Sequence, residues 1–512
     1  MEYLRISDGG EIMEFSVVGK SVQRTDAVAK VTGRAKYTDD FFERDMLVGK
    51  VLRSPYAHAR IKNIDVSKAE ALPGVEAVLT NKNVSQNRFP TAGHPYSLDP
   101  KHQDIEDRTI LPDKARFVGD GIAAVVATNG LIAQEALKLI KVEYEVLEPV
   151  LTPEEAMKER APLIHEDRGS NIISSFGFEI GDVEKTFQDC EHIFEDEFET
   201  SIVQHCQMEN HISYAYIDGD ERIVIVSSTQ IPHITRRVVG QALGIPWGKV
   251  RIIKPYIGGG FGNKQDVVLE PLAAAMTLAV GGRPVKIEQS REESMIDSRT
   301  RHAFKFKIKT GISKEGKLIA THIRLISNNG AYASHGHSIA MSGGSKFRPL
   351  YGFKAIKYDP ITVYTNLPTA GAMRGYGAPQ VHYALECHVD NIARKLNFDP
   401  IEFRRLNFAG TGYQDPLTKV KIYTNGLAEC VAKGKELIGW TAKKELYKKQ
   451  IGDKRRGLGM ACFAYSSGTH PVSIEIAGAR IVVNQDGSVQ LQVGATEIGQ
   501  GSDTVFEQNH LG

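Results

Sequence analysis

Two glycine-dense segments carry residue types from which an anion site can be built. The first, Ile257-Gly-Gly-Gly-Phe-Gly-Asn-Lys-Gln265, stands between a predicted strand and a predicted helix. Glycines at such a junction let backbone N–H groups approach an anion, and the helix N-terminus that follows adds a favourable field. The loop fits neither well-known phosphate motif. Gly258 and Lys264 have Walker A spacing, but Asn263 replaces its second glycine and Gln265 its Ser/Thr. Asn263 also stands where the dinucleotide fingerprint needs its third glycine. A plain tight turn is the competing reading. The second segment runs from Thr365 through Ala372-Met-Arg-Gly-Tyr-Gly-Ala-Pro-Gln380. Arg374 there offers a rigid fork of donors to phosphate or oxo groups, and Tyr376 a face for a planar ligand. A structural arginine satisfying carbonyls explains the segment equally well. Gln230 closes the run Ser227-Ser-Thr-Gln at a predicted strand end, where ligand-contacting groups often sit; a helix-capping or turn role is the simpler alternative.

Histidines offer less. His205, Cys206, Glu209 and His211 resemble a ligand set, and a strand would put His205, Glu209 and His211 on one face. Their spacing matches neither H-E-x-x-H nor a zinc pattern, so metal binding is not expected there. His233, His335 and His337 read as polar or solvent-facing rather than catalytic.

The elements that must position these residues fall into regions, as 512 residues exceed one ordinary core. Residues 22–148 mix short β-rich runs at 46–52, 75–79 and 121–127 with a helix at 130–140 and a strand at 142–144. Residues 149–171, proline-rich and charged, read as a linker. Residues 172–410 alternate strands (222–228, 249–257, 284–289) with helices (232–243, 265–280), Pro271 implying a kink or a later start to the second helix. A hairpin follows at 304–308 and 318–327. Residues 427–512 begin a third region with a hairpin (479–483, 489–493) and a helix from Asp503. The fold class is therefore multidomain, α+β and α/β.

Bulk properties exclude several functions. Sixty-three basic against 62 acidic residues leave a net charge of +1, so no basic excess exists to hold nucleic acid. No apolar run is long enough to span a bilayer, and the start lacks signal-peptide features. The five cysteines are scattered and form no C-x-x-C pair, which argues against a disulfide framework or an iron–sulfur cluster. The chain reads as cytoplasmic.

Taken together, the segments Arg24–Asp40, Leu52–His58, Phe117–Asp120, Gly258–Lys264, Ala372–Gln380 and Glu497-Ile-Gly-Gln-Gly501 resemble the molybdenum-binding subunits of the xanthine dehydrogenase / aldehyde oxidase family over nearly the whole chain. The resemblance implies a hammerhead-like α/β domain (22–148), then a first molybdopterin-binding domain (172–410) and the start of a second (427–512). It implies that Gln230, Gly260, Phe261, Gly262 and Arg374 contact the cofactor, with Gln230, Phe261 and Arg374 at the molybdenum centre, and that Gly499, Gln500 and Gly501 bind the pterin pyrophosphate. It places Tyr376 and Gln265 at the substrate. The implied cofactor is molybdenum-molybdopterin, as the cytosine dinucleotide in bacterial relatives, with 2Fe–2S and FAD on partner subunits. The implied reaction is hydroxylation of an electron-poor ring carbon, such as a purine's, with water as oxygen source and a glutamate as general base. That glutamate belongs to a C-terminal G-E-P-P-like segment that does not occur before Gly512, so no catalytic base is expected in this chain. An inactive fragment is therefore one alternative. Where purine oxidases carry a glutamate and an arginine facing the purine, Gln265 and Ser342 stand here. Another N-heterocycle, a nicotinate-like acid or an aldehyde therefore remains an open substrate.

Overall fold

The computed structural model describes residues 15–94, 97–98, 103–465 and 478–511. Its central sheet draws strands from both the first and second regions. The order is Val250–Ile253, Ile223–Ser227, Ile212–Ile217, Val285–Glu288, Leu47–Arg53, Gly121–Ala127, Val75–Thr80. Leu47–Arg53 pairs in parallel with Val285–Glu288, so hydrogen bonds carry the sheet across what the sequence divides. Gly121–Ala127 is buried along its whole length, as a Val- and Ala-rich strand covered on both faces must be. Helices Gly130–Leu139, Pro232–Leu243 and Glu270–Ala279 lie against the sheet, the last two closing a core with Ile225, Val239 and Met276.

The second sheet is built on the long hairpin Ala303–Ile312 and Leu318–Gly330, with Ala355–Tyr364 parallel to the latter. Phe304, Phe306 and Ile308 face one core with Phe347 and Val389 from helices Gly336–Phe347 and Ala378–Lys395. Residues 149–171 connect the regions while packing closely: Val150, Ile164 and Asn171 are buried there, and Asn366 binds Val150 N–H through its side-chain oxygen.

Two expected elements are shorter. The helix predicted from 265 starts at Glu270, because Pro271 suits only a first turn and residues 263–265 form a separate 3₁₀ turn. The strand predicted over 249–257 ends at Ile253, freeing the chain to enter the glycine loop. Residues 205–211 are not a strand; they connect Val203–Gln204 to Ile212–Ile217, and Cys206 takes a left-handed φ of 52°. His335 is fully buried rather than solvent-facing. In the third region the hairpin Ala479–Val483 and Val489–Val493 is largely exposed along both strands, and helix Ser502–Leu511 follows. Among the described residues no helix is long and apolar enough to cross a membrane.

Candidate functional site

The two glycine turns meet. Strand Ile223–Ser227 delivers Gln230, whose N–H donates to Lys264 O at 2.8 Å and whose Oε1 accepts from Gly262 N–H at 3.0 Å. A Cβ on Gly260 would lie 2.4 Å from that Oε1, so glycine is what allows the glutamine to close on the loop. Gly262, with φ of +100°, approaches the second turn so closely that a Cβ would lie 2.6 Å from Ala372 O. Arg374 N–H then donates to Phe261 O at 2.9 Å, joining the turns directly. Phe261 and Tyr376 both hold positive φ, 54° and 46°, a backbone cost of about 1–3 kcal/mol each that the surrounding structure must offset.

What the turns leave pointing outward is equally specific. Phe261 is 48% exposed, and Arg374 is exposed with its guanidinium in no hydrogen bond or ion pair among the described residues. Since Gly262 occupies the Gln230 oxygen, the amide nitrogen is the group left to donate. An amide NH₂ and a guanidinium are donors only, so the surface they edge favours oxo and anionic acceptors.

Below the loop lies a hydrogen-bonded floor. Asn263 Oδ1 accepts from Arg299 N–H, while its Nδ2 donates to Gln207 and Ser298. Arg299 and Asp266 form a buried pair at 3.0 Å. Burial alone would raise the Asp266 carboxyl; Arg299 and His335 outweigh it and hold the group below its ordinary range. Lys264, 1% exposed, reaches Glu209 at 2.6 Å; burial lowers its pKa against the pull of that carboxylate. Neither His205, Glu209 nor His211 converges on a common point as a ligand set would; each addresses the loop or its neighbours.

Tyr376 behaves differently from a free stacking platform. Its hydroxyl meets His335 Nδ1 at 2.7 Å, His94 Nε2 at 2.8 Å and Ser338 Oγ at 2.8 Å, which uses the one donor and both acceptor positions of a phenol. Only its ring is left for a ligand. His94 in turn is backed by Asp104 at 2.5 Å, and His335 by buried Asp266 at 3.4 Å. Burial pushes His335 down to about 4, so it is neutral near pH 7. His94, Asp104 and His337 place three ligand-type atoms within 4.8 Å of one another, but both imidazoles address the same Asp104 Oδ1, at 2.5 and 3.4 Å, and its Oδ2 faces Arg237 at 3.8 Å. Gln265 lies beside this cluster, its carbonyl 3.2 Å from His335 Nε2 and its Cγ against Gly93. Ser342, nearly buried, sits on the adjoining helix Gly336–Phe347.

The Gly499-Gln500-Gly501 turn stands apart. Its Gly499 and Gly501 N–H groups donate to the chain's own Glu497 carboxylate at 2.6 and 3.1 Å, and Gln500 bonds only within the turn. Arg24, Thr25 and Lys254 tie it down. Among the described residues no hydrogen bond links it to the Phe261 or Arg374 turns.

Residues 32–148 match the aldehyde oxidase and xanthine dehydrogenase a/b hammerhead domain, and residues 164–408 and 433–510 match molybdopterin cofactor-binding domains. The chain is 37% identical over 425 residues to the nicotinate dehydrogenase large molybdopterin subunit of Eubacterium barkeri, covering 83% of this chain and 96% of that one. This chain belongs to the molybdopterin-binding subunits of the xanthine dehydrogenase and aldehyde oxidase family. It is also 49% identical over 485 residues to a putative xanthine dehydrogenase molybdenum-binding subunit of Escherichia coli, spanning 95% of this chain but 64% of that relative's length. The aldehyde oxidoreductase of Desulfovibrio gigas superposes with a TM-score of 0.86 at 27% identity, over 98% of this chain and 54% of that one.

For a family member, the cradle suits an oxo-bearing, anionic cofactor on its own chemistry. Glycines at 260 and 262 let Gln230 and Ala372 close on the loop where any Cβ would collide, and the outward groups are donors. Sequence reasoning found these groups, weighed His205 and Glu209 only as metal ligands, and passed over Asp266, Arg299 and His94. Their partners lie far along the chain, and no local pattern announces them.

Proposed function

We propose that this chain carries the molybdenum-molybdopterin site of a hydroxylase that oxidises a purine, hypoxanthine or xanthine, with water as oxygen donor. The single observation that carries the reading is the junction of the two turns, with Gln230, Phe261 and Arg374 around glycines 260 and 262. Gln230 would donate to an oxo group and Arg374 to oxo or phosphate oxygens, with Phe261 shielding the metal side of the pterin. Gly499, Gln500 and Gly501 would meet the far end of the cofactor, a cytosine dinucleotide, once their donors are released from Glu497. When bound, the centre supplies two-electron redox chemistry, the electrons leaving to 2Fe–2S and FAD groups on partner subunits.

Tyr376 presents its ring face to a planar substrate while its saturated hydroxyl keeps that ring in place, and Gln265 borders the same space. The carboxylates nearest the cradle, Glu209 and Asp266, are held in ion pairs, so neither is assigned as a base. Purine as substrate is supported by the Escherichia coli relative named for xanthine. A nicotinate-like acid is the second reading, favoured by Gln265 and Ser342 in place of purine-facing charges and by the Eubacterium barkeri relative named for nicotinate. Steady-state assays of the chain purified with its partner subunits, across hypoxanthine, xanthine, nicotinate and benzaldehyde, decide between them. Turnover of benzaldehyde alone would refute both.

A further inference from the structure

The segment His205–Glu209–His211 resembles a metal-ligand set, but its contacts describe a mechanical part. We infer that His205 and Glu209 are positioning residues, a two-pronged staple that fixes the separation of the two cofactor turns; the inference rests on reading those turns as cofactor walls. Glu209 Oε2 accepts from Gly258 N–H at 2.8 Å and from Lys264 Nζ at 2.6 Å. One carboxylate oxygen therefore grips both ends of the glycine loop, and Glu209 N–H adds a third hold on Gly258 O at 3.0 Å. The long Lys264 side chain is almost fully buried, so this tie is shielded from water and from salt.

The other prong addresses the second turn. His205 Nε2 lies 2.8 Å from Ala372 O, and its Nδ1 3.0 Å from Arg299 O. Ala372 O is the atom that Gly262 approaches too closely to tolerate a side chain. His205 thus holds the carbonyl against which the first turn is packed, two residues before Arg374. Arg299 N–H is itself bonded to Asn263 of the loop. The staple therefore closes a ring of contacts from Gly258 through Lys264, Asn263 and Arg299 to Ala372. Loops rich in glycine lack side chains to pack and lose the most entropy on ordering, so outside contacts must fix their shape.

Glu209 Oε1 is buried and has no partner among the described residues. A glutamine can keep its oxygen for Gly258, but like alanine it strands the buried Lys264 charge, so the conservative variant is Glu209→Gln/Lys264→Met. Glu209→Ala would strand the Lys264 charge, so the breaking variant is the double Glu209→Ala/Lys264→Met. Asp415→Asn, which weakens the buried Arg348–Asp415 pair in the second core, serves as a destabilised control.

The test is hydrogen–deuterium exchange on the full chain with its partner subunits, together with molybdenum content per chain. Exchange in residues 258–264 should rise about tenfold or more in Glu209→Ala/Lys264→Met, and in residues 372–377 by a similar factor in His205→Ala. Molybdenum content should fall in both, while Glu209→Gln/Lys264→Met, which keeps the acceptor for Gly258, stays closer to wild type than Glu209→Ala/Lys264→Met on both readouts. Asp415→Asn should lower the melting temperature without changing either stretch. Exchange in Glu209→Ala/Lys264→Met and in His205→Ala no faster than in the control would overturn the staple. Wild-type protein without molybdenum would overturn the cofactor reading instead, leaving the exchange comparison to decide the staple.

Discussion

The turn around Phe261 and Arg374 and the turn at 497–501 are both glycine-rich, yet they spend their donors in opposite ways. At the first, internal polar groups from Gln230, Glu209 and His205 hold the backbone, and the free Arg374 guanidinium and Gln230 amide nitrogen face outward. At the second, a carboxylate of the chain itself, Glu497, sits in the amide nest and accepts from Gly499, Gly501, Ser502 and Asp503. Glycine content alone does not make a ligand site; what matters is which partner already holds the N–H groups.

Breaking the first region should cost most. Asp266→Asn leaves Arg299, 1% exposed, as an uncompensated buried charge, and should cost about 3–5 kcal/mol in urea unfolding. Gly262→Ala forces a Cβ into Ala372 O at positive φ, and should cost about 1–3 kcal/mol and separate the turns. A Gly262→Ala protein as stable as wild type would mean the turns are not in contact. In the second region, Glu497→Gln replaces one acceptor oxygen with a donor facing backbone N–H groups, and should cost about 1 kcal/mol.

Proton linkage sharpens the same contrast. His335 and His302 are each held down at about 4 by burial, against an ordinary 6.5. Between those values the unfolded chain binds more protons than the folded one, so stability present above pH 6.5 is lost as pH falls toward 4. Glu497 is lowered from 4.5, despite its burial, by the N–H groups it accepts from. Its contribution is present above 4.5 and is lost only as pH falls through its lower folded value. Moving from pH 7 to pH 5 should therefore weaken the first region and leave the second intact. Urea midpoints should drop equally in wild type and Glu497→Gln; a penalty for Glu497→Gln that vanishes by pH 5 would contradict this assignment.

Much of the scaffold was legible because it is local. Pro232 in a first turn and left-handed Gly244 at the C-cap bound helix Pro232–Leu243 as expected, and Asp486-Gly487, with Gly487 at φ of 82°, sets the hairpin Ala479–Val483 and Val489–Val493. The cradle residues were legible only as a group, through family resemblance, since each turn taken alone permits a structural explanation. The staple, the Tyr376 anchorage and the parallel pairing of Leu47–Arg53 with Val285–Glu288 were not legible. Each is a contact between residues distant in sequence, chosen by packing rather than by any repeat or spacing. Tyr376 shows what a local reading leaves out: its ring was read as a face for a planar ligand, and its hydroxyl is anchored by His94, more than two hundred residues earlier in the chain.

Arg374 offers the most direct test, because its side chain supports nothing within the described chain. Arg374→Ala should shift unfolding free energy by less than about 0.5 kcal/mol, yet the purified protein, made with the proposed partner subunits, should lose most of its molybdenum and pterin. Retention of a full molybdenum complement by Arg374→Ala would contradict the account.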